Sequence, residues 1–355
     1  MSRVDLVREK IREKKIGALV LTALPNIRYV SGFTGSTATV LITLDRAIIL
    51  VDARYTLQAG QECPGFEVIQ YSGDVLKSAA GLVNEMAPGR LGFEAEHMTY
   101  SSHARLRSLV SKETKLTSTK RIVESIRYVK DPDEIEKIRR AVVIVDECFS
   151  YIIKHIKPGM MEREVALDID TFMRKHGAEM QGFETIVAAG PNAAFPHHKP
   201  TDAVLQAGQM VKLDYGALLD GYNSDITRTI FLGEPDDKQR EVYNVVLGAQ
   251  LAAIDAIRPG KSGKEIDAVA RDYITSKGYG DNFGHGLGHS LGVEVHDGPG
   301  LSPTSEVVLL SGMVMTVEPG IYIEGWGGVR IEDDVVVWDD GAEILTKSTK
   351  DVVVV

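Results

Sequence analysis

QMVKLDYGALLDGYNSDITRTIFLG, residues 209–233, is the stretch that decides how the carboxy-terminal part of this chain folds. Asp220-Gly221 is a preferred two-residue hairpin turn, with strand-like runs on both sides. With these two residues as the turn, Leu219 pairs with Tyr222, Gly216 with Asp225 and Asp214 with Thr227. Asp214 and Asp225 then lie on adjacent strands, on one face, as diagonal neighbours about 7–8 Å apart. A pair of aspartates is ordinarily solvated. Here VKLDYGAL and SDITRTIFL put each aspartate inside an apolar strand, and a buried carboxylate without a partner is costly. The pattern predicts a cation at this place.

The same theme returns in MVMTVEPGIYIEGWGGVRIEDDVVVW, residues 313–338. Counting back from a turn centred on Gly325, a strand ending in Glu318 faces a strand containing Glu332, with the two glutamates opposite each other. Two hairpins thus supply four inward carboxylates. Between them runs FGHGLGHSLGVEVHDG, residues 283–298, carrying His285, His289 and His296. A lone histidine is ordinarily a satisfied surface or core residue, but three in twelve residues, out of nine in the chain, form a cluster. Gly284, Gly286, Gly288 and Gly292 let the backbone approach a bound group closely. Oxygen-rich ligation with an imidazole suits Mn(II), Co(II), Fe(II) or Zn(II). Four carboxylates bring two divalent ions near neutrality, and two metals about 3.5–4 Å apart can polarise a carbonyl and generate a nucleophile together.

Around these passages the chain reads as two domains. Its 355 residues exceed the usual size of one. The 25% charged and 44% hydrophobic composition is that of a folded globular protein. Forty basic against 50 acidic residues, a net charge of −10, argues against a broad nucleic-acid surface. No stretch reaches about 18 uninterrupted apolar residues, and the charged start has no signal-peptide core, so no membrane partner and a cytoplasmic location are expected. Cys63 and Cys148 lie far apart without a CxxC pair and read as buried apolar groups.

The amino-terminal part has a helical pattern from Val4 to Lys15, then short β-branched runs at 18–22, 39–43, 47–51 and 66–71, the signature of an α/β domain. DPDE at 131–134 sets Asp131 as N-cap, Pro132 at the first helical position and Glu134 at the third, starting a helix expected to reach about Ile156. The domain break is placed just before it, in 120–131, giving domains 1–125 and 126–355. In the second domain a long helix, a Pro-Gly stop (Pro158-Gly159, then Pro259-Gly260), another helix and Gly-rich strands occur twice. Such an echo predicts two related halves, each donating ligands to a site between them.

These motifs resemble one family, the pita-bread metallopeptidases of the M24 type, in the Xaa-Pro peptidase branch of aminopeptidase P and prolidase. LDYGALLDGYNSDITRT, GHGLGHSLGVEVHD, MTVEPGIYIEGWGGVRIEDD and the upstream AAGPNAAFPHHKP match it in order and spacing. NIRYVSGFTGS and VDARYTLQA resemble its non-catalytic, creatinase-like amino-terminal α/β domain, so the likeness spans essentially the whole chain. The resemblance implies an α/β (α+β) protein with a pseudo-two-fold pita-bread domain. It implies that Asp214 binds one of two divalent metal ions, that Asp225 and Glu332 bridge both, and that His289 and Glu318 complete the second position. Manganese stands first among the metals, with cobalt, zinc or iron also suited. It further implies Glu318 as a proton shuttle, His296 and His197 against the scissile peptide and its oxyanion, and His285 and Arg330 lining the site. A metal-bridging hydroxide would cleave the bond between an amino-terminal residue and proline, so the partner is a peptide with proline second. A homodimer is also what the resemblance implies.

Other readings compete with this one. Gly288-His289-Ser290-Leu291-Gly292 fits G-x-S-x-G, but that motif needs a strand before the serine and a histidine far downstream, and DNFGHGL is no strand. The glycines here also have the wrong spacing for a dinucleotide loop. A catalytically silent pita-bread binding protein would have no need of all five ligands. An aminopeptidase of the same fold without proline preference stays open, since the proline pocket is not visible in sequence.

Overall fold

Asp131 caps the helix that opens the second half of the molecule: its carboxylate accepts from the Glu134 amide and Glu134 reaches back to the Asp131 amide, with Pro132 at the first helical position. The structure, a computed structural model, describes residues 1–355 and divides into two units, Met1–Arg127 and Tyr128–Val355.

The first unit alternates helices and strands: α1 (Arg3–Glu13), β1 (Ala18–Leu21), α2 (Leu24–Ser31), β2 (Thr39–Thr43), β3 (Ala47–Val51), α3 (Thr56–Glu62), β4 (Glu67–Gln70), α4 (Val75–Met86), β5 (Arg90–Glu94), α5 (Tyr100–Leu109), β6 (Lys115–Thr119) and the short α6 (Glu124–Arg127). The strands form one six-stranded sheet in the order β4-β3-β2-β1-β5-β6. It is mixed: β1/β2 and β2/β3 are antiparallel, the second pair across a short turn, and β3/β4, β1/β5 and β5/β6 are parallel. β1, β2 and β3 are buried along their whole length, which is why they read as continuous apolar runs.

The second unit runs α7 (Pro132–Ile152), α8 (Glu162–Lys175), β7 (Met180–Gln181), β8 (Ile186–Ala189), β9 (Met210–Tyr215), β10 (Ala217–Leu219), β11 (Tyr222–Asn223), β12 (Ile226–Phe231), α9 (Asp237–Ala256), α10 (Gly263–Ser276), β13 (Gly288–His289), β14 (Gly300–Leu301), β15 (Val314–Val317), β16 (Gly320–Ile323), β17 (Gly327–Arg330), β18 (Asp333–Trp338) and β19 (Gly341–Ile344). The order helix, helix, hairpin strands occurs twice. The first pass packs Val145, Phe149, Ile169 and Met173 against Leu213, Ile226 and Ile230. The second packs Val246, Ala253, Ile266 and Ile274 against Met315, Val329 and Val335. Helix α7 ends at Ile152, four residues short of the expected Ile156, with the 153–158 segment turning ahead of Gly159.

Both hairpins keep the register read from their turns. Asp220 and Gly221 have φ of 48° and 78°, the positive values a two-residue primed turn needs, and Leu219 pairs with Tyr222 and Asp214 with Thr227. Asp225, however, lies in the gap between β11 and β12 rather than inside a strand. The reason is a bend at Gly216, where a Cβ would collide with the Ser224 carbonyl, so the hairpin leaves one sheet and enters another. In the second hairpin Val317 pairs with Asp333 and Gly320 with Arg330. That register sets Glu318 opposite Glu332, both in the interruption between ladders that Pro319 creates by lacking an N–H.

Candidate active site

All nine residues singled out in the sequence line one cavity of about 410 Å³: Asp214, Asp225, His289, Glu318, Glu332, His197, His285, His296 and Arg330. Phe183, Ile186, Pro196 and Val295 form apolar wall around them. Asp214 projects from the central strand of the β12-β9-β8 sheet, and the other carboxylates come from the breaks between ladders.

The carboxylates and one imidazole converge. Ligand atoms of Asp225, His289 and Glu332 lie within 4.8 Å of one another. His289 Nε2 is 3.6 Å from Asp225 Oδ2 and 3.5 Å from Glu318 Oε1. Its Nδ1 is 3.1 Å from the Ser290 carbonyl, which can only accept, so Nδ1 carries the hydrogen and Nε2 presents its lone pair to the cavity. Gly288 makes room for this strand, since a Cβ there would strike the Thr316 backbone. Arg330 places its guanidinium on Asp214, with Nε 3.9 Å from Glu318 Oε2.

The electrostatics are those of a site short of positive charge. Asp225 and Glu332 are buried, and burial first, then the neighbouring carboxylates, drives both well above the ordinary carboxylate range. Burial likewise pushes Glu318 up to about 7, against the pull of Arg330. Asp225 Oδ1 and Glu332 Oε1 are buried and accept no hydrogen bond. Buried carboxylate oxygens are ordinarily satisfied, and oxygens without a donor beside an imidazole lone pair fit a divalent cation of the transition series.

The histidines around this centre divide by partner. His285 Nδ1 donates to the Gly286 carbonyl at 2.7 Å, so its Nε2 accepts from the Tyr322 hydroxyl at 2.9 Å, and that hydroxyl accepts from Arg330 Nη1 at 2.9 Å. Burial, with Arg330 second, lowers His285 to about 4 and keeps it neutral. His296 packs its ring 4.1 Å from that of His289. His197 is exposed on the cavity rim. Ser290, the serine of the G-x-S-x-G fit, is fully buried with its hydroxyl donating to the Pro299 carbonyl at 2.7 Å and does not line the cavity.

The sequence reading missed a set of supporting residues. Thr227 Oγ1 donates to Glu332 Oε2 at 2.6 Å and accepts from Arg330 Nε at 3.0 Å. Thr316 Oγ1 donates to Glu318 Oε1 at 3.2 Å and accepts from the His289 amide at 3.0 Å. Asp334 Oδ2 accepts from the Asp225 amide at 2.9 Å. Thr227, Thr316 and Asp334 each stand two residues from one of the four carboxylates, as Lys212 does from Asp214. Side chains two apart on a strand share a face, so the signal was present in the spacing.

Comparison with known proteins follows this geometry. Residues 136–339 match the family model described as metallopeptidase family M24, and residues 3–129 match the creatinase/prolidase N-terminal domain. The chain is 36% identical over 360 residues to the Xaa-Pro dipeptidase of Pyrococcus horikoshii, covering 99% of this chain and 100% of that one. Among solved structures, the Xaa-Pro dipeptidase from Bacillus anthracis superposes with a TM-score of 0.97 at 43% identity, covering 99% of each chain. The X-Pro aminopeptidase from Thermotoga maritima does so with a TM-score of 0.93 at 40% identity over 100% of both.

Proposed function

We propose that this chain, which belongs to metallopeptidase family M24, hydrolyses the peptide bond between an amino-terminal residue and proline with two divalent metal ions held by Asp214, Asp225, His289, Glu318 and Glu332. The observation that carries the proposal is the pair of buried, donorless oxygens on Asp225 and Glu332, one in each hairpin, facing the His289 lone pair. The likeness to proteins named Xaa-Pro dipeptidase and X-Pro aminopeptidase supports the substrate class. Manganese is the first choice of metal, with cobalt, zinc or iron suited to the same donors. Bound there, the metals supply Lewis-acid polarisation of the scissile carbonyl and acidify a water molecule.

The remaining steps fall to side chains of this chain. Proline nitrogen leaves as a secondary amine and needs a proton. Glu318 would take one from the attacking water and deliver it to that nitrogen, with its Oε1 oriented by the Thr316 hydroxyl. His296 and His197 hold the scissile peptide and donate to the oxygen on which charge develops. Neutral His285, Tyr322 and Arg330 form a hydrogen-bonded chain that keeps the guanidinium on Asp214. The amino-terminal unit takes no part in the chemistry, and the working particle is a homodimer.

The decisive assay incubates chelated protein with Xaa-Pro and Xaa-Pro-Xaa peptides before and after adding Mn(II) or Co(II). Hydrolysis lost on chelation and regained with metal is the expected result. Activity that persists after all metal is removed refutes the mechanism.

A further inference from the structure

The segment that carries His197 is held from two sides by buried side chains that form no hydrogen bond or ion pair with one another or with the proposed metal ligands. It is the 190–209 connection between β8 and β9, long and largely without regular structure. Loops of that length in a folded domain are held by something or serve a function, and their backbone groups need partners. His197 is exposed and makes no side-chain hydrogen bond of its own, so the backbone beneath it decides where its ring stands.

On one side stands Glu162, at the first position of α8 and with no exposed surface. Its Oε1 accepts from the Ala189 amide at 2.9 Å and Asn192 Nδ2 at 3.0 Å. Its Oε2 accepts from the Thr201 amide at 3.0 Å, the Thr201 hydroxyl at 2.7 Å and His198 Nε2 at 2.8 Å. One carboxylate therefore gathers both ends of the segment and turns His198 away from the cavity. On the other side stands Lys212, also without exposed surface, in the middle of β9. Its Nζ donates to the carbonyls of Phe195 at 2.7 Å, Pro196 at 3.3 Å and Ala193 at 3.5 Å, and the Pro196 carbonyl also accepts from Arg330 Nη1 at 3.2 Å. Buried lysines are rare and buried carboxylates are rare; here Lys212 spends its hydrogen bonds on backbone carbonyls of the segment, and Glu162 divides its own between two backbone amides and three side chains at the segment's ends.

We propose that Glu162 and Lys212 are positioning residues for His197, acting through the 190–201 backbone. The part concerning turnover rests on the role given to His197 above; the anchoring part does not. A reacting group misplaced by roughly 1 Å can cost about 100-fold in rate, so anchors of this kind have leverage on turnover without touching substrate. A competing explanation for Lys212 is that it only offsets the charge of nearby carboxylates. It would then govern metal affinity and leave the segment unchanged.

The test uses the full-length, metal-loaded protein and the isosteric or near-isosteric variants Glu162→Gln and Lys212→Met. Hydrogen–deuterium exchange read on peptides covering 186–203 is expected to quicken about tenfold or more in each variant, while peptides covering 313–338 exchange as in the wild type. Bound metal is expected to be unchanged and kcat to fall about tenfold or more with KM within twofold. In a His197→Ala background the same Lys212→Met change is expected to cost less than about twofold, because its effect runs through the missing ring. Unchanged exchange at 186–203, or loss of metal in place of loop order, overturns the proposal. Equal losses in both backgrounds also overturn it. A His197→Ala protein with full turnover overturns the role of His197, and the exchange measurement then decides the anchoring by itself.

Discussion

Thr227 donates its hydroxyl hydrogen to Oε2 of Glu332 at 2.6 Å, joining the 209–233 hairpin to the 313–338 hairpin across 105 positions of sequence. The bond fixes one oxygen of Glu332 and leaves the other, Oε1, buried without a donor and aimed at the cavity. Hydrogen bonds of this kind behind a ligand typically govern metal affinity by about 10–100-fold. Thr227→Val, nearly the same shape without the donor, should weaken metal binding by about that factor while the protein stays folded. Titration with Mn(II) checks it, and wild-type affinity in the variant removes Thr227 from the account.

Asp225 is the ligand with least room for substitution. It is buried, its amide is held by Asp334, and its Oδ1 accepts no hydrogen bond. Asp225→Asn puts an NH₂ where an anionic oxygen is needed. Metal content and turnover should fall together by at least about 100-fold in affinity terms, while the melting temperature of the chelated protein stays the same or rises because a buried carboxyl has been made neutral. Turnover at the wild-type rate refutes a ligand role.

The pH dependence has a definite sign. Glu318 is held up to about 7, and Asp225 and Glu332 well above the ordinary range, in each case chiefly by burial. Burial lowers His285, His289 and His296, whose contribution fades as pH rises past the ordinary imidazole value, and it lowers Lys212, which acts in the opposite sense to the carboxyls; comparing loaded with chelated protein isolates the carboxyls that a metal would engage. At these carboxyls the folded, chelated protein binds more protons than the unfolded chain, so their contribution to its stability falls as pH rises through about 7. Metal binding needs the carboxylates ionised and therefore strengthens over the same span with release of protons. The gap in melting temperature between loaded and chelated protein should widen from about pH 6.5 to about pH 8.5. A gap that narrows contradicts the burial of these groups.

Ser290 offers a control. Its hydroxyl is committed to the Pro299 carbonyl in the interior, and His289 is oriented by the Ser290 carbonyl, which substitution leaves in place. Ser290→Ala should lose about 1 kcal/mol of stability and keep turnover within about twofold. A serine-directed reagent should leave the wild type active. Inactivation by such a reagent would revive the serine reading.

The four carboxylates were legible because they flank short turns, where local rules of register reach far, whereas His197 and Arg330 were named only through the family resemblance. Asp220-Gly221 and Gly325 set two registers, and from those the opposition of Glu318 and Glu332 and the neighbourhood of Asp214 and Thr227 could be counted. The N-cap at Asp131 was equally local, because a capping box involves only residues 131–134. Where the reading fell short, the backbone changed course in a way that residue pattern does not record. The bend that moves Asp225 out of its strand arises from packing of Gly216 against Ser224, and the early end of α7 from how residues 153–158 turn into Gly159.

By itself, then, the sequence determined the elements, both hairpin registers and the identity of the residues brought to the cavity. Register depends on turn geometry and a two-residue period, and both are properties of neighbouring residues. Tertiary structure alone decided which hydrogen bonds those residues share. The partners of Glu332, Glu162 and Lys212 lie in other elements, and no period links them. Burial did the rest: the same carboxyl is an ordinary acid in water and a group held up to about 7 where Glu318 stands, and only the folded chain removes the water.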